Sequence, residues 1–131
     1  MTMNKKSAAQ VYQQSSIENA PPVKIIRLLY EGALRYIDRA AACDPVKERL
    51  AFRDWVCRAN AVVAELRVAL ERDPEPAIAD NLERIYEFAQ FQFTQSLIRG
   101  DIQPLAQARK ALATLLEGWK HIELQTTGSN S

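Results

Sequence analysis

The sequence predicts an all-α protein, an antiparallel up-down four-helix bundle with a mobile or loosely docked N-terminal segment. Three observations carry this. Apolar residues recur at spacings of three and four along most of the chain, the helical period. There are only four glycines in 131 residues, so tight turns are few. Proline and glycine gather at a few places that cut the chain into four long stretches joined by short links, and short links make consecutive helices antiparallel neighbours.

The first helix opens after Ala20-Pro21-Pro22 and runs to about Ala42. Asp44-Pro45 then supplies an acidic N-cap and a proline at the first position of the second helix, expected to be the longest. Arg72-Asp73-Pro74-Glu75-Pro76 ends it, because neither proline can continue a helix, and a third restarts near Ile78. Arg99-Gly100-Asp101 closes the third: Gly100 suits the left-handed residue past a helix end, Asp101 the cap of the fourth, and Pro104 its first turn. The bundle is placed over 21–124 and is about 30–40 Å long at about 1.5 Å per residue. Residues 1–20 form a flexible N-terminal segment and 125–131 a disordered tail.

Each helix carries one apolar stripe suited to a common core. The first has Ile25, Ile26, Leu29, Ala33, Tyr36 and Ile37; the second Phe52, Val56, Ala59, Val63, Leu66 and Leu70. The third has Ile78, Leu82, Ile85, Ala89 and Phe93, and the fourth Leu105, Ala108, Leu112, Leu115 and Trp119. Apolar residues are left over. Val46, Leu50, Cys57, Ala61 and Val68 form a second stripe on the second helix, and Phe91 and Ile98 lie nearly opposite Phe93 and Ala89 on the third. They serve either as ordinary surface hydrophobes, with one stripe under the N-terminal segment, or as a groove for a partner segment read by anchors at helical spacing.

Composition narrows the function. Lys+Arg at 17 against Asp+Glu at 16 gives a net charge of +1, without the basic excess of a dedicated nucleic-acid binder. Residues 75–101 carry two basic and five acidic side chains and 102–123 three and two, so no stretch is strongly basic. No run approaches the roughly 20 apolar residues that would insert in a membrane, and the start MTMNKKSAAQ lacks the apolar stretch of a signal peptide, which predicts a cytoplasmic chain. Cys43 and Cys57 read as reduced thiols. No catalytic, cofactor-binding or metal site is expected: the single histidine, His121, has Gly118 where a paired glutamate would stand in a di-metal bundle, and phosphate-cradling loops and nucleophile elbows are missing. Arg27, Arg35, Arg53 and Glu83 read as the wet faces of their helices.

Ala20-Pro21-Pro22, Ile25-Ile26 and Leu28-Leu29-Tyr30-Glu31-Gly32-Ala33 resemble the opening helix of the FliS family, the cytoplasmic export chaperones of flagellin. Arg58-Ala59 with Val62-Val63 and Leu66 resembles its middle motif. Asn81-Leu82, Ile85-Tyr86, Phe88, Asp101, Leu105, Leu112, Leu115 and Trp119 keep its spacing through the second half. The chain departs from the family in Pro21, where serine is usual, and in Ser96-Leu97, where the family has Ala-Asn.

The resemblance implies a helical bundle without catalytic activity that binds the C-terminal segment of flagellin, prevents its premature polymerisation and keeps it export-competent. Other flagellar export or regulatory proteins are further candidate partners. Leu50, Cys57, Ala61, Val68, Phe91 and Ile98 are then the expected partner-binding residues. Tyr12, which falls where the family carries a tyrosine, and Ile17 are the expected N-terminal gate over that surface. Two rivals stay open at this point: a structural bundle that self-associates through the spare stripes, and a metal- or haem-binding four-helix bundle.

Overall fold

The computed structural model describes residues 22–70 and 76–129, so Tyr12 and Ile17 lie outside the described residues. Four helices follow one another: α1 Pro22–Ala41, α2 Arg49–Ala69, α3 Pro76–Arg99 and α4 Gln103–Ser129. Each packs on its neighbours in sequence, and α1 also packs on α4, which closes a square of helices. Their directions alternate: Arg27 at the start of α1 meets Glu123 near the end of α4, and Asp38 near the end of α1 meets Arg109 near the start of α4. This is the up-down-up-down bundle that the short links predict.

The helix boundaries have local causes. Asp44 caps as expected, its Oδ1 accepting the N–H groups of Val46 and Lys47 at 2.9 Å each. These two bonds hold its carboxyl below the usual carboxylate range. Yet only one turn follows before the chain leaves helical geometry. Glu48 turns its side chain back to accept the Asp44 N–H at 2.8 Å and sits at φ −114°, ψ 45°, so the regular helix begins at Arg49. With that turn set apart, α2 has 21 residues and α4, with 27, is the longest helix. Helix α4 also runs past the expected boundary at 124, because no proline interrupts Glu123 to Ser129 and the backbone ladder continues; residues 125–129 are helical rather than tail.

The corner between α3 and α4 is held by its own hydrogen bonds. Gly100 adopts φ 60° with open space where a Cβ would stand, so it is the backbone conformation that favours glycine here. The Asp101 N–H donates to the Ser96 carbonyl at 3.2 Å, the long bond of a Schellman ending. The Ser96 hydroxyl, fully buried, donates in return to the Asp101 carbonyl at 2.6 Å. Asp101 then caps α4 by accepting the Gln103 N–H at 2.9 Å.

The core contains the central residues of every predicted stripe: Ala33 and Ile37, Phe52 to Leu66 on α2, Leu82, Ala89 and Phe93, and Leu105, Ala108 and Leu112. Three corrections come from the ends and flanks. Ile78 is 53% exposed because α3 starts only two residues before it, at an end that none of the other described helices covers. Ile25, Ile26, Leu29, Tyr36, Leu70, Ile85, Leu115 and Trp119 are half-buried at the seams between helices. In their place Tyr30, Leu34, Ala40, Tyr86, Ser96 and Leu116 are buried.

Tyr30 and Tyr86 cross the middle of the square. Helices α1 and α3 are diagonal, yet the two hydroxyls lie 2.5 Å apart, with ring centroids 6.2 Å apart and tilted by 56°. Trp119 of α4 packs on Tyr30 at 6.4 Å. Burial pushes the Tyr30 hydroxyl above its ordinary pKa of 10.0, opposed by hydrogen bonds with Tyr86 and Trp119, so it remains a neutral O–H. Tyr30→Phe and Tyr86→Phe should each cost about 1–3 kcal/mol, since each removes the buried hydrogen bond between the two hydroxyls. The double variant should cost less than the sum, and a urea-denaturation cycle on the four proteins checks this. Leu66→Ala and Leu112→Ala, which open cavities at the bundle centre, should each cost about 2–5 kcal/mol by the same measurement.

Candidate partner-binding surface

The inward turn of the tyrosines decides what faces out. At about 100° per residue, Phe91 and Ile98 fall about 140° and 120° from Tyr86 around α3, and they are 57% and 72% exposed. On α2, Leu50, Cys57 and Ala61 stand opposite Phe52 and Val63 and are exposed, Leu50 by 81%. Val68 lies on the same stripe but is half-buried, because it lines a hollow with Leu70 and Ala79 where α3 comes up beside the end of α2. Cys43 and Cys57 are both free thiols; burial first, then the charge of Glu48, raises the pKa of Cys43.

The structure brings only some of these residues together. Ile98 joins Val46, with Pro45 and Leu97, in a groove of about 420 Å³ between the start of α2 and the end of α3, with Phe52 at its base. The locked corner at Gly100 fixes where Ile98 and Arg99 stand on this groove. Leu50, Cys57 and Ala61 instead run along the outer face of α2, and Phe91 stands on the outer face of α3.

A second groove, not anticipated from the stripes, lies between α3 and α4. Phe88, 42% exposed, lines it with Ile85, Ala111 and Leu115. Its signal was available: Phe88 falls about 120° from the core direction of Leu82, too far round to be buried.

Polar clasps flank the surface. Arg67 of α2 bonds Glu83 and, at 2.8 Å, Gln90 of α3, and it pairs with Glu87 at 3.3 Å. Gln90 donates onward to Asn60 at 2.9 Å. Arg27 pairs with Glu123 across α1 and α4 and with Glu31 one turn along at 3.1 Å. Arg27 and Glu83, expected on wet faces, therefore join helices. Trp55 stacks on Tyr36 at 5.8 Å, with the guanidinium groups of Arg39 and Arg58 at 5.0 and 5.4 Å from its ring.

His121 is exposed and lies 3.2 Å from the Gln125 amide. Among the described residues no three His, Cys, Asp or Glu side chains gather as metal ligands, and no helix is long and apolar enough to cross a membrane.

Comparison with known proteins agrees with the resemblance. The family model described as flagellar protein FliS matches residues 3–126. Three proteins named flagellar secretion chaperone FliS align over most of their lengths. That of Vibrio cholerae is 30% identical over 127 residues, covering 89% of each chain. The Salmonella typhimurium protein is 27% identical over 118 residues, 89% of this chain and 87% of that one. The Bacillus subtilis protein is 25% identical over 109 residues, 83% and 80%. A match spanning all four helices, on a bundle whose outer faces carry surplus apolar side chains, places this chain in the FliS family.

Proposed function

We propose that this protein is a cytoplasmic flagellar secretion chaperone that binds the C-terminal segment of flagellin, prevents its premature polymerisation and hands it on unfolded enough for export. The observation that carries this reading is the apolar surface left outside a complete core, on a chain of the FliS family: Leu50, Phe91 and Ile98 are all more than half exposed. Exposed apolar side chains on rigid helices suit a client that arrives without structure, since they offer anchors at helical spacing and need no rearrangement. Ordering such a client costs conformational entropy, so a large wrapped area yields only moderate affinity, and moderate affinity permits release at the export gate. Burial of the client's apolar residues asks for no bond-making step.

In this reading Leu50, Cys57, Ala61, Val68, Phe91 and Ile98 take part in client binding, and Tyr12 and Ile17 form a gate that covers part of the same surface in the free protein. A cover of this kind must bind weakly, because whatever it contributes to the closed state is subtracted from client affinity.

Phe91→Glu with Ile98→Glu should weaken binding to a flagellin C-terminal peptide by about tenfold or more. Melting should stay within about 0.5 kcal/mol of the parent, as for surface changes generally. Titration calorimetry and thermal unfolding on the same samples test both; a variant that unfolds would return these residues to the core. Light scattering with and without the peptide separates the client reading from a self-associating bundle, in which the peptide would leave the mass unchanged. Deleting residues 1–18 should raise self-association and leave peptide affinity equal or higher. A truncated chain that stays monomeric and loses the peptide would make that segment part of the binding site.

A further inference from the structure

Where the groove between α3 and α4 has the single cation Lys110, the groove between the start of α2 and the end of α3 gathers three arginines beside exposed apolar side chains. Its apolar lining, Val46 and Ile98 above all, is 73% and 72% exposed. Three arginines, Arg49, Arg53 and Arg99, complete the lining, and no carboxylate among the described residues lines it. Arg99 leans on Asp101 at 3.5 Å, outside the groove. Arg49 and Arg53, one turn apart on α2 and both exposed, enter no ion pair among the described residues. Arg27, Arg58, Arg67 and Arg109 are each matched with a carboxylate; Arg35, Arg39 and Arg84 are not, among the described residues, but they stand outside this groove, so what sets Arg49 and Arg53 apart is their place beside exposed Val46 and Ile98.

From this we infer that the groove reads charge as well as shape: its occupant is a client segment in which an apolar residue, seated between Val46 and Ile98, is flanked by Asp or Glu side chains that meet Arg49 and Arg53. The inference rests on the client-binding reading above and adds the chemistry by which one stretch of the client is chosen over another. The complementarity also disfavours this chain's own N-terminal segment as the occupant, because residues 1–20 carry Lys5 and Lys6 against the single carboxylate Glu18. Arginine suits the task, since its planar fork holds a carboxylate by two parallel bonds while its stem lies along apolar surface. Acidic flanks would speed encounter and fix register, while the apolar anchor supplies the burial.

The test uses the full chain and three designed amphipathic peptides with the same apolar anchors and with Glu, Gln or Lys at the flanking positions. Binding is read by fluorescence anisotropy and located by amide shifts in NMR spectra. The Glu peptide should bind about tenfold tighter than the Lys peptide at 0.15 M salt, as a few partly exposed ion pairs allow. Its shifts should centre on Val46, Arg53 and Ile98, and its advantage should shrink at high salt. Arg49→Glu with Arg53→Glu should reverse the order of the Glu and Lys peptides, while Arg84→Glu, an exposed arginine of α3 outside this groove, should leave it unchanged. Equal binding of all three peptides, shifts centred elsewhere, or no binding at all would overturn the inference. A flagellin C-terminal peptide run alongside separates the two readings: if it fails to bind while the Glu peptide binds at the groove, the choice of flagellin as client falls and the arginine-lined site stands.

Discussion

The buried hydrogen bond between Tyr30 and Tyr86 is the constraint on which the rest of this bundle depends. Helices α1 and α3 stand diagonally, separated by α2 and α4, and the two hydroxyls at 2.5 Å, with their tilted rings in contact, tie the rotation of one helix to that of the other. An apolar core of Leu, Val and Ala tolerates rotation of a helix about its axis better than a hydrogen bond does, because burial is non-directional whereas an unpaired buried hydroxyl is costly. Holding Tyr86 inward also holds Phe91 and Ile98 outward, since all three lie on one rigid helix. The outward apolar surface is thus a geometric consequence of the polar contact at the centre.

Charge refines this arrangement at the seams. The Arg67 cluster ties the end of α2 to the start of α3, and Arg27 with Glu123 and Arg109 with Asp38 tie the two ends of α1 to α4. Such partly exposed pairs contribute about 0–1 kcal/mol each, so their effect is on register more than on stability. They also set apart the groove at the opposite end of the α2–α3 seam, where Arg49 and Arg53 face solvent beside Val46 and Ile98. Two exposed arginines beside an apolar cleft fit the inferred role as half of an interaction, in which charge sets register and the cleft supplies burial.

Exposed Leu50, Phe91 and Ile98 carry a risk of aggregation that an ordinary domain avoids. The core does not draw on them: Tyr86, Phe93, Leu105 and Leu112 are almost wholly buried, so the buried and the exposed apolar side chains are separate sets. Under the proposed function this separation lets the client-facing side chains change without loss of the fold.

The sequence by itself determined the class, the number and order of helices, the glycine corner at Gly100 and the outward stripes, because each depends on local chemistry or on helical period, which a linear chain displays directly. Even the family was legible in Leu29-Tyr30-Glu31-Gly32 and the spacing that leads to Trp119. Only the tertiary structure decided that Tyr30 and Tyr86 meet across the diagonal, that Ile78 lies uncovered, that Glu48 delays the start of α2, and that Val46 and Ile98 share one arginine-lined groove while Phe88 opens another. Those facts depend on which helix lies beside which, and at what height along the bundle. Period fixes the face on which a residue lies, but it leaves undetermined what stands opposite.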